Sequence, residues 1–270
     1  MRSKRHWALG VGLLLSLLAA HAQSSSRSYD SELQLGVDAY KNSRYEEAET
    51  HFRTASELDP SQTAAHLYLA TVLVNQYIPG VDIPDNFRSA TQAIEQYQWV
   101  LNSDADTTSK IDSTKGIAYL YLYMKNFEDS RTYYQKASSL DPQDPENYYS
   151  LGVIDWTACY SKRMEARAKL KIAPGENLDA NKRGQKTVCD QLKTNNSSLI
   201  EDGIDNLNKA IELRPDYDDA MAYMNLMYRE RADLECDDLV SRENDLKTAD
   251  EWVDRTIAVK KAKADKGATR

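Results

Sequence analysis

Apolar and small residues recur in a fixed order along the chain. One copy of the pattern contains Leu35-Gly36, Tyr45, Ala48, Phe52, Ala55 and Leu58-Asp59-Pro60. Another contains Tyr119, Phe127, Tyr134, Ala137 and Leu140-Asp141-Pro142, and a further one contains Leu151-Gly152, Leu207, Ala210 and Leu213-Arg214-Pro215. The closing proline has no N–H and cannot continue a helix. Each copy is therefore predicted to be a pair of antiparallel helices that ends at its proline.

Small residues mark the places where these helices are expected to touch. Gly36 and Gly152 let two helices approach closely, because a larger side chain there would push them apart. One such hairpin cannot bury its apolar stripe alone, so neighbouring hairpins must stack. The pattern predicts an extended stack of hairpins that forms one cooperative unit.

The order of a Leu-Gly pair, an alanine, an aromatic residue and a closing proline resembles the tetratricopeptide repeat family, whose unit has 34 residues. The resemblance implies an all-α, right-handed superhelical solenoid of helix-turn-helix repeats. The solenoid is expected to span residues 29–259. Its repeats are predicted at residues 29–62, 63–104 with an insertion, 111–144, 145–217 with a large insertion, and 218–259.

The insertions distinguish this chain from the plain repeat. One lies around residues 77–84, and the largest covers residues 160–195. In the larger one, the first helix of the repeat is expected to run on to Leu170, and a loop with Pro174-Gly175 then leads to a new helix near Lys186. The tail 260–270, rich in Lys, Ala and Gly, is expected to be flexible.

The last two repeats also resemble a group of exported bacterial tetratricopeptide proteins of unknown function. That resemblance depends on Trp156 and on the segments 164–168 and 218–223. It implies export and adds no activity.

The first 22 residues have the composition of a targeting segment. Basic residues precede an apolar run from Trp7 to Ala20, and Ala20-His21-Ala22 supplies small residues for cleavage before Gln23. The alternative is an uncleaved membrane anchor, but the run is shorter than the roughly 20 apolar residues that a span needs. We expect a signal peptide at 1–22, a linker at 23–28, and an exported protein in the periplasm or outside the cell. No stable membrane insertion is expected after cleavage.

The composition limits the partners and the chemistry. Among 270 residues, Gly (10) and Pro (7) are scarce, which favours long helices, and the net charge is −8. Without residues 1–22 the chain keeps 31 basic and 42 acidic residues, a net charge of −11, which disfavours nucleic acid as a partner. Only His51 and His66 then remain, so no metal site, cofactor or catalytic residue is predicted. An enzyme with a site in the 160–195 insertion is the less favoured alternative.

Tyrosine is abundant (17) while phenylalanine is rare (3), a balance that a buried core alone does not require. The family resemblance implies that set positions of each first helix line the concave face. Carried over to this chain, those positions give an apolar and aromatic groove of Tyr40, Tyr119, Leu122, Tyr123, Tyr149, Val153 and Trp156. Such a groove suits a peptide or protein partner. Two alternatives remain open: these side chains pack against neighbouring helices, or the solenoid associates with itself as a homo-oligomer.

Three cysteines, Cys159, Cys189 and Cys236, lie in the last two repeats. In an oxidising compartment two of them are expected to form a disulfide. Aligning the first helices of the two repeats places Cys159 one turn from Cys236, and Cys189 also comes near Cys236. Both pairings remain open, as does the absence of a bridge.

Overall fold

The computed structural model describes residues 27–173 and 176–268, and all regular secondary structure in these two ranges is helical. The predicted signal peptide, residues 23–26 of the predicted linker and the Pro174-Gly175 dipeptide lie outside the described residues. The helices are α1 (Tyr29–Lys41), α2 (Tyr45–Leu58), α3 (Thr63–Gln76), α4 (Pro84–Asn102), α5 (Thr107–Tyr123), α6 (Phe127–Leu140), α7 (Pro145–Lys169), α8 (Gln185–Leu213), α9 (Asp218–Leu234) and α10 (Leu239–Ala268).

Consecutive helices pair into five hairpins, and each hairpin packs against the next one along the chain. This is the predicted all-α solenoid of helix-turn-helix repeats. The first helix of the third hairpin begins at Thr107, four residues before the expected start at Ile111. The Asp106 side chain accepts a hydrogen bond from the backbone N–H of Ser109 and so caps the helix at this earlier position.

Glycine permits the close contact within two of the hairpins. A β-carbon at Gly36 would lie 2.5 Å from the ring of Phe52, and one at Gly152 would lie 2.5 Å from Cγ of Leu207. Both distances are far below van der Waals contact, so the partner side chain on the second helix occupies the space that glycine leaves.

The buried side chains form two large clusters and a small one between them. The N-terminal cluster contains Phe52, Leu73 and Ile117, and the C-terminal cluster contains Leu207 and Met224. The small cluster consists of Ala118, Tyr134, Leu151 and Ile154. It lies where α5 and α6 meet α7, so it joins the two halves of the solenoid.

The large insertion lengthens an existing hairpin. Helix α7 has 25 residues and α8 has 29, so the helix expected near Lys186 is the start of α8 and continues unbroken to Leu213. A disulfide between Cys189 and Cys236, with Cα atoms 6.4 Å apart, ties this end of α8 to the loop between α9 and α10. Cys159 is free and buried against α8, where its Sγ lies 3.9 Å from the backbone carbonyl oxygen of Asn196.

The C-terminal segment differs from the expected flexible tail. Helix α10 continues through residue 268, and the amino groups of Lys260 and Lys263 lie 3.9 and 2.5 Å from the carboxylate of Asp218. These ion pairs hold the last turns of α10 against the start of α9. No helix in the described ranges has the length and hydropathy that a membrane span requires.

Candidate partner-binding groove

The first helices of the last three hairpins carry neighbouring aromatic side chains. On α5, the ring centroids of Tyr119 and Tyr123 are 4.5 Å apart, and the two side chains are 37% and 43% exposed. Two large aromatic rings that contact each other and still face solvent offer apolar area that the fold has not used.

Helices α7 and α9 extend this aromatic group. The Tyr149 ring lies 5.6 Å from that of Tyr223, edge to face, and the Trp156 ring lies 5.5 Å from Tyr223 in the same geometry. Trp156 also stacks on Tyr160, with centroids 5.0 Å apart, and Tyr160 is 38% exposed. Tyr149, Trp156 and Tyr223 are half-buried, so each ring is held by its neighbours.

The rings of the three helices are close enough to influence one another. The charge of ionised Tyr123 contributes to raising the pKa of both Tyr149 and Tyr223, although burial is the main cause at each. Tyr123 therefore joins the α5 pair to the cluster on α7 and α9. We call the set Tyr119, Tyr123, Tyr149, Trp156, Tyr160 and Tyr223 the aromatic surface.

The other predicted groove residues lie differently. The Tyr40 hydroxyl accepts a hydrogen bond from the Asn75 side chain at 3.0 Å, and its ring lies 5.6 Å from that of Tyr45, in the N-terminal half. Leu122 packs against the small cluster that joins the two halves. Val153 is partly buried on α7, between Tyr149 and Trp156 in sequence. Tyr40 and Leu122 therefore pack against other side chains of this chain.

Sequence reasoning missed Tyr160, Tyr217 and Tyr223. Tyr160 lies one turn beyond Trp156 in the part of α7 that the insertion adds, where the family's positions do not extend. Helical spacing alone could have found it, since 149, 153, 156 and 160 lie on one face of a helix. Tyr223 lies on α9, from which the predicted groove contains no residue.

Polar contacts hold the part of the aromatic surface that contains Tyr149. The Glu146 carboxylate accepts a hydrogen bond from the Tyr217 hydroxyl at 2.5 Å and another from Arg214 at 2.8 Å. The Tyr217 ring lies 5.0 Å from that of Tyr149 and supports it from α9's side, while the Arg214 guanidinium lies 4.2 Å from the Tyr217 ring centroid. Burial and the Glu146 carboxylate hold the pKa of Tyr217 well above its usual range.

Two groups of ion pairs join helices of neighbouring repeats. Arg163 on α7 donates to both carboxylate oxygens of Glu230 on α9, at 2.8 and 2.6 Å, and also pairs with Asp233 at 3.0 Å. Glu230 is buried in this contact. Arg131 on α6 bridges Asp155 at 2.9 Å and Asp202 at 2.6 Å, and burial raises the pKa of Asp155 to about 6.

The smaller insertion borders the same surface. Tyr77, Gly80 and Phe87 line an open cavity of about 230 Å³ together with Tyr123 and Met124. Tyr123 thus belongs to both the cavity and the aromatic surface, so the two are continuous. Within the described ranges, no group of three His, Cys, Asp or Glu side chains has an arrangement that could hold a metal ion.

Comparisons with known proteins agree with this architecture. Two family models, each described as a tetratricopeptide repeat, match residues 33–76 and 116–144. A comparison with curated proteins found no match.

Solved structures show the same fold at low sequence identity. The crystal structure of MamA protein has a TM-score of 0.57 at 13% identity, over 88% of this chain and 94% of that one. MamA 41-end from Desulfovibrio magneticus RS-1 has a TM-score of 0.56 at 13% identity, over 87% and 96% of the two chains. YrrB, described as a TPR protein with an unusual peptide-binding site, has a TM-score of 0.51 at 12% identity, over 86% and 90%.

The matched repeats lie on hairpins α1–α3 and α5–α6, and the remaining hairpins continue the same stack. The chain therefore contains tetratricopeptide repeats in these two segments and has the fold of a tetratricopeptide-repeat solenoid.

Proposed function

We propose that this protein is an exported scaffold of the bacterial cell envelope that binds a segment of a partner protein on its aromatic surface and performs no catalysis. The observation that carries the proposal is the exposure of Tyr119, Tyr123 and Tyr160, each 37–43% exposed, beside rings that are already fixed in place.

An aromatic surface of this kind is well suited to binding. Tyrosine and tryptophan contribute large contact areas with few rotatable bonds, so little side-chain entropy is lost when a partner covers them. Trp156 is held between Tyr160 and Tyr223, so its position is set before a partner arrives. Such preorganisation lowers the cost of association.

Further observations support the two parts of the proposal. YrrB, which shares the fold, is described as having a peptide-binding site. Export is supported by the composition of residues 1–22 and by the Cys189–Cys236 disulfide, because such bonds persist in oxidising compartments.

The test is recovery of a partner by variants of the aromatic surface. Affinity capture from an envelope extract, followed by mass spectrometry, identifies proteins bound to the wild type. The double variant Tyr119→Ala/Tyr123→Ala should lose the partner, because it removes two exposed rings, and should keep its helical circular dichroism signal.

The matched control is Tyr68→Ala, since Tyr68 is an aromatic residue of similar exposure (42%) that packs on Phe52, away from the aromatic surface. This control should recover the partner at the wild-type level. Equal recovery by the double variant and the wild type would refute the proposed groove.

A further inference from the structure

The charges beside the aromatic surface differ in how well they are compensated. Four cations on or beside α5, α7 and α9 have a carboxylate partner: Lys115 pairs with Asp144, Arg214 with Glu146, Arg163 with Glu230, and Arg229 with Asp250. These four are therefore already neutralised by the protein itself, whereas Lys125 and Lys162, two residues beyond Tyr123 and Tyr160, have no ion pair in the described part of the chain.

Two carboxylates, on α5 and α9, have no ion pair. Asp112 lies two turns before Tyr119 on the same face of α5, and Asp219 lies one turn before Tyr223 on α9. Both are exposed, and neither has an ion pair among the described residues. One turn before Tyr223 on α9, the charge without an ion pair is therefore negative.

The effect of Asp219 reaches two rings of the aromatic surface. Its charge contributes to raising the pKa of both Tyr149 and Tyr223, after burial, which is the larger cause. The negative charge of Asp219 disfavours ionisation of these two hydroxyls. The same charge favours a cation above the rings.

Aromatic faces add to this preference for a cation. The face of a tyrosine or tryptophan ring carries negative charge density and attracts an ammonium or guanidinium group within about 6 Å. The protein itself uses this contact nearby, since the Arg163 guanidinium lies 5.4 Å from the Tyr160 ring centroid. A partner segment with acidic side chains would instead meet both the ring faces and Asp219 as like charges.

We propose that the segment bound on the aromatic surface carries a lysine or arginine side chain, which lies over the rings of Tyr149 and Tyr223 and pairs with Asp219. The inference rests on the proposed function, because it names the chemistry of the partner that the surface binds. Asp219 makes no ion pair within the described part of the chain, whereas Glu146, whose charge also acts on Tyr149, pairs with Arg214.

The probe is a random dodecapeptide library displayed on phage, selected at low ionic strength on the full mature protein with its disulfide intact. Selected peptides are sorted by whether binding is lost on the Tyr119→Ala/Tyr123→Ala variant. Peptides that depend on these tyrosines should be enriched in Lys or Arg at one position relative to the unselected library. Their affinity should fall as salt is added, since the ion pair is screened.

A synthetic peptide from that group then tests Asp219 directly. The Asp219→Lys variant should bind it roughly tenfold more weakly than the wild type, through loss of the ion pair and repulsion of the cation from the rings. Asp219→Asn should give a smaller loss in the same direction. Circular dichroism and thermal melting show that each variant is folded.

The control is Glu128→Lys, because Glu128 is also the second residue of a helix, α6, and is also exposed without an ion pair among the described residues. It changes the net charge by the same amount and should leave the affinity at the wild-type level. Equal affinity for Asp219→Lys and Glu128→Lys, or tyrosine-dependent peptides without basic enrichment, would overturn the inference while leaving the groove standing. If no selected peptide depends on the two tyrosines, the proposed function fails and the inference falls with it.

Discussion

The fold changes the ionisation of Asp155. It lies fully buried on α7, and its only cationic partner in the described structure is Arg131. Burial raises the pKa of its carboxyl from 3.8 to about 6, because Arg131 offsets only part of the lost hydration. The folded protein therefore holds this proton more tightly than the unfolded chain does.

A raised carboxyl pKa gives a definite sign for the effect on stability. Below about pH 4 the group is protonated in both states and its contribution is complete, and that contribution is lost as the pH rises through about 6. The shift corresponds to about 3 kcal/mol of unfolding free energy. We expect the Asp155→Asn variant to gain about that much stability relative to the wild type between pH 4 and pH 8.

Urea unfolding followed by circular dichroism at several pH values measures this difference. The exposed Glu128→Gln variant serves as the control and should show a constant offset from the wild type. If the difference in unfolding free energy between Asp155→Asn and the wild type also stayed constant with pH, the carboxyl would not be buried as described.

Individual residues also show what the sequence could reveal and what it could not. The contact of Gly36 with Phe52 follows from local pattern, because both residues belong to one hairpin of known spacing. The pairing of Lys263 with Asp218 joins residues far apart in the chain, and composition alone made the C-terminal segment look like a flexible tail. The burial of Glu230 depends on Arg163, a residue of another repeat, so local pattern alone could not predict it.

Among the elements, the extended α7–α8 hairpin depends on the loop between α9 and α10. The Cys189–Cys236 disulfide joins the start of α8 to that loop. Two other contacts reinforce it: Lys193 pairs with Glu235 at 2.8 Å, and the backbone N–H of Ala180 donates to the carbonyl of Cys236 at 3.3 Å. The loop therefore acts as a support for the insertion.

Loss of the disulfide should destabilise this end of the protein. The bond closes a loop of 47 residues, for which the restricted unfolded chain contributes about 4 kcal/mol. We expect Cys236→Ser to lower the unfolding free energy by roughly 2–4 kcal/mol and to speed proteolysis within residues 176–184. Urea unfolding and limited proteolysis measure the two effects.

Cys159→Ala is the matched control, since Cys159 is free and burial raises the pKa of its thiol to about 12, which keeps it unreactive. This variant should keep its sensitivity to a reducing agent, whereas Cys236→Ser should lose it. A wild-type protein whose stability did not change on reduction would contradict the supporting role of the bond.

The alignment of repeats could not choose between the cysteine pairings. It compared positions along α7 and α9 and placed Cys159 one turn from Cys236, but it carried no information on which face of α7 bears the thiol. In the structure Cys159 faces α8 and contacts Asn196, so it cannot reach the loop. The helices follow from local pattern, whereas their relative rotation follows from packing between repeats.

At the scale of the whole molecule, the two large buried clusters are joined by a small one. Ala118, Tyr134, Leu151 and Ile154 connect the N-terminal half, which contains Phe52 and Leu73, to the C-terminal half, which contains Leu207 and Met224. In a solenoid each repeat contacts only its neighbours, so stability is a sum of repeat and interface contributions. The coupling of the two halves therefore depends on this small cluster.

The aromatic surface crosses the same junction, since Tyr119 and Tyr123 lie on α5 and the other rings lie on α7 and α9. Binding of a partner there would bridge the two halves and add to their coupling. The junction is thus important both for cooperative folding and for the geometry of the proposed groove.

Weakening the junction should separate the unfolding of the two halves. Ile154→Ala removes a side chain that is 1% exposed and should cost about 2–5 kcal/mol at the interface. Hydrogen exchange measured by mass spectrometry across a urea series should show α1–α4 and α7–α10 losing protection at different urea concentrations in the variant, and closer together in the wild type. The same substitution at Ile257, which is 59% exposed, should leave the wild-type pattern unchanged. If both halves of Ile154→Ala still lost protection together, the coupling would have to pass through contacts other than the small cluster.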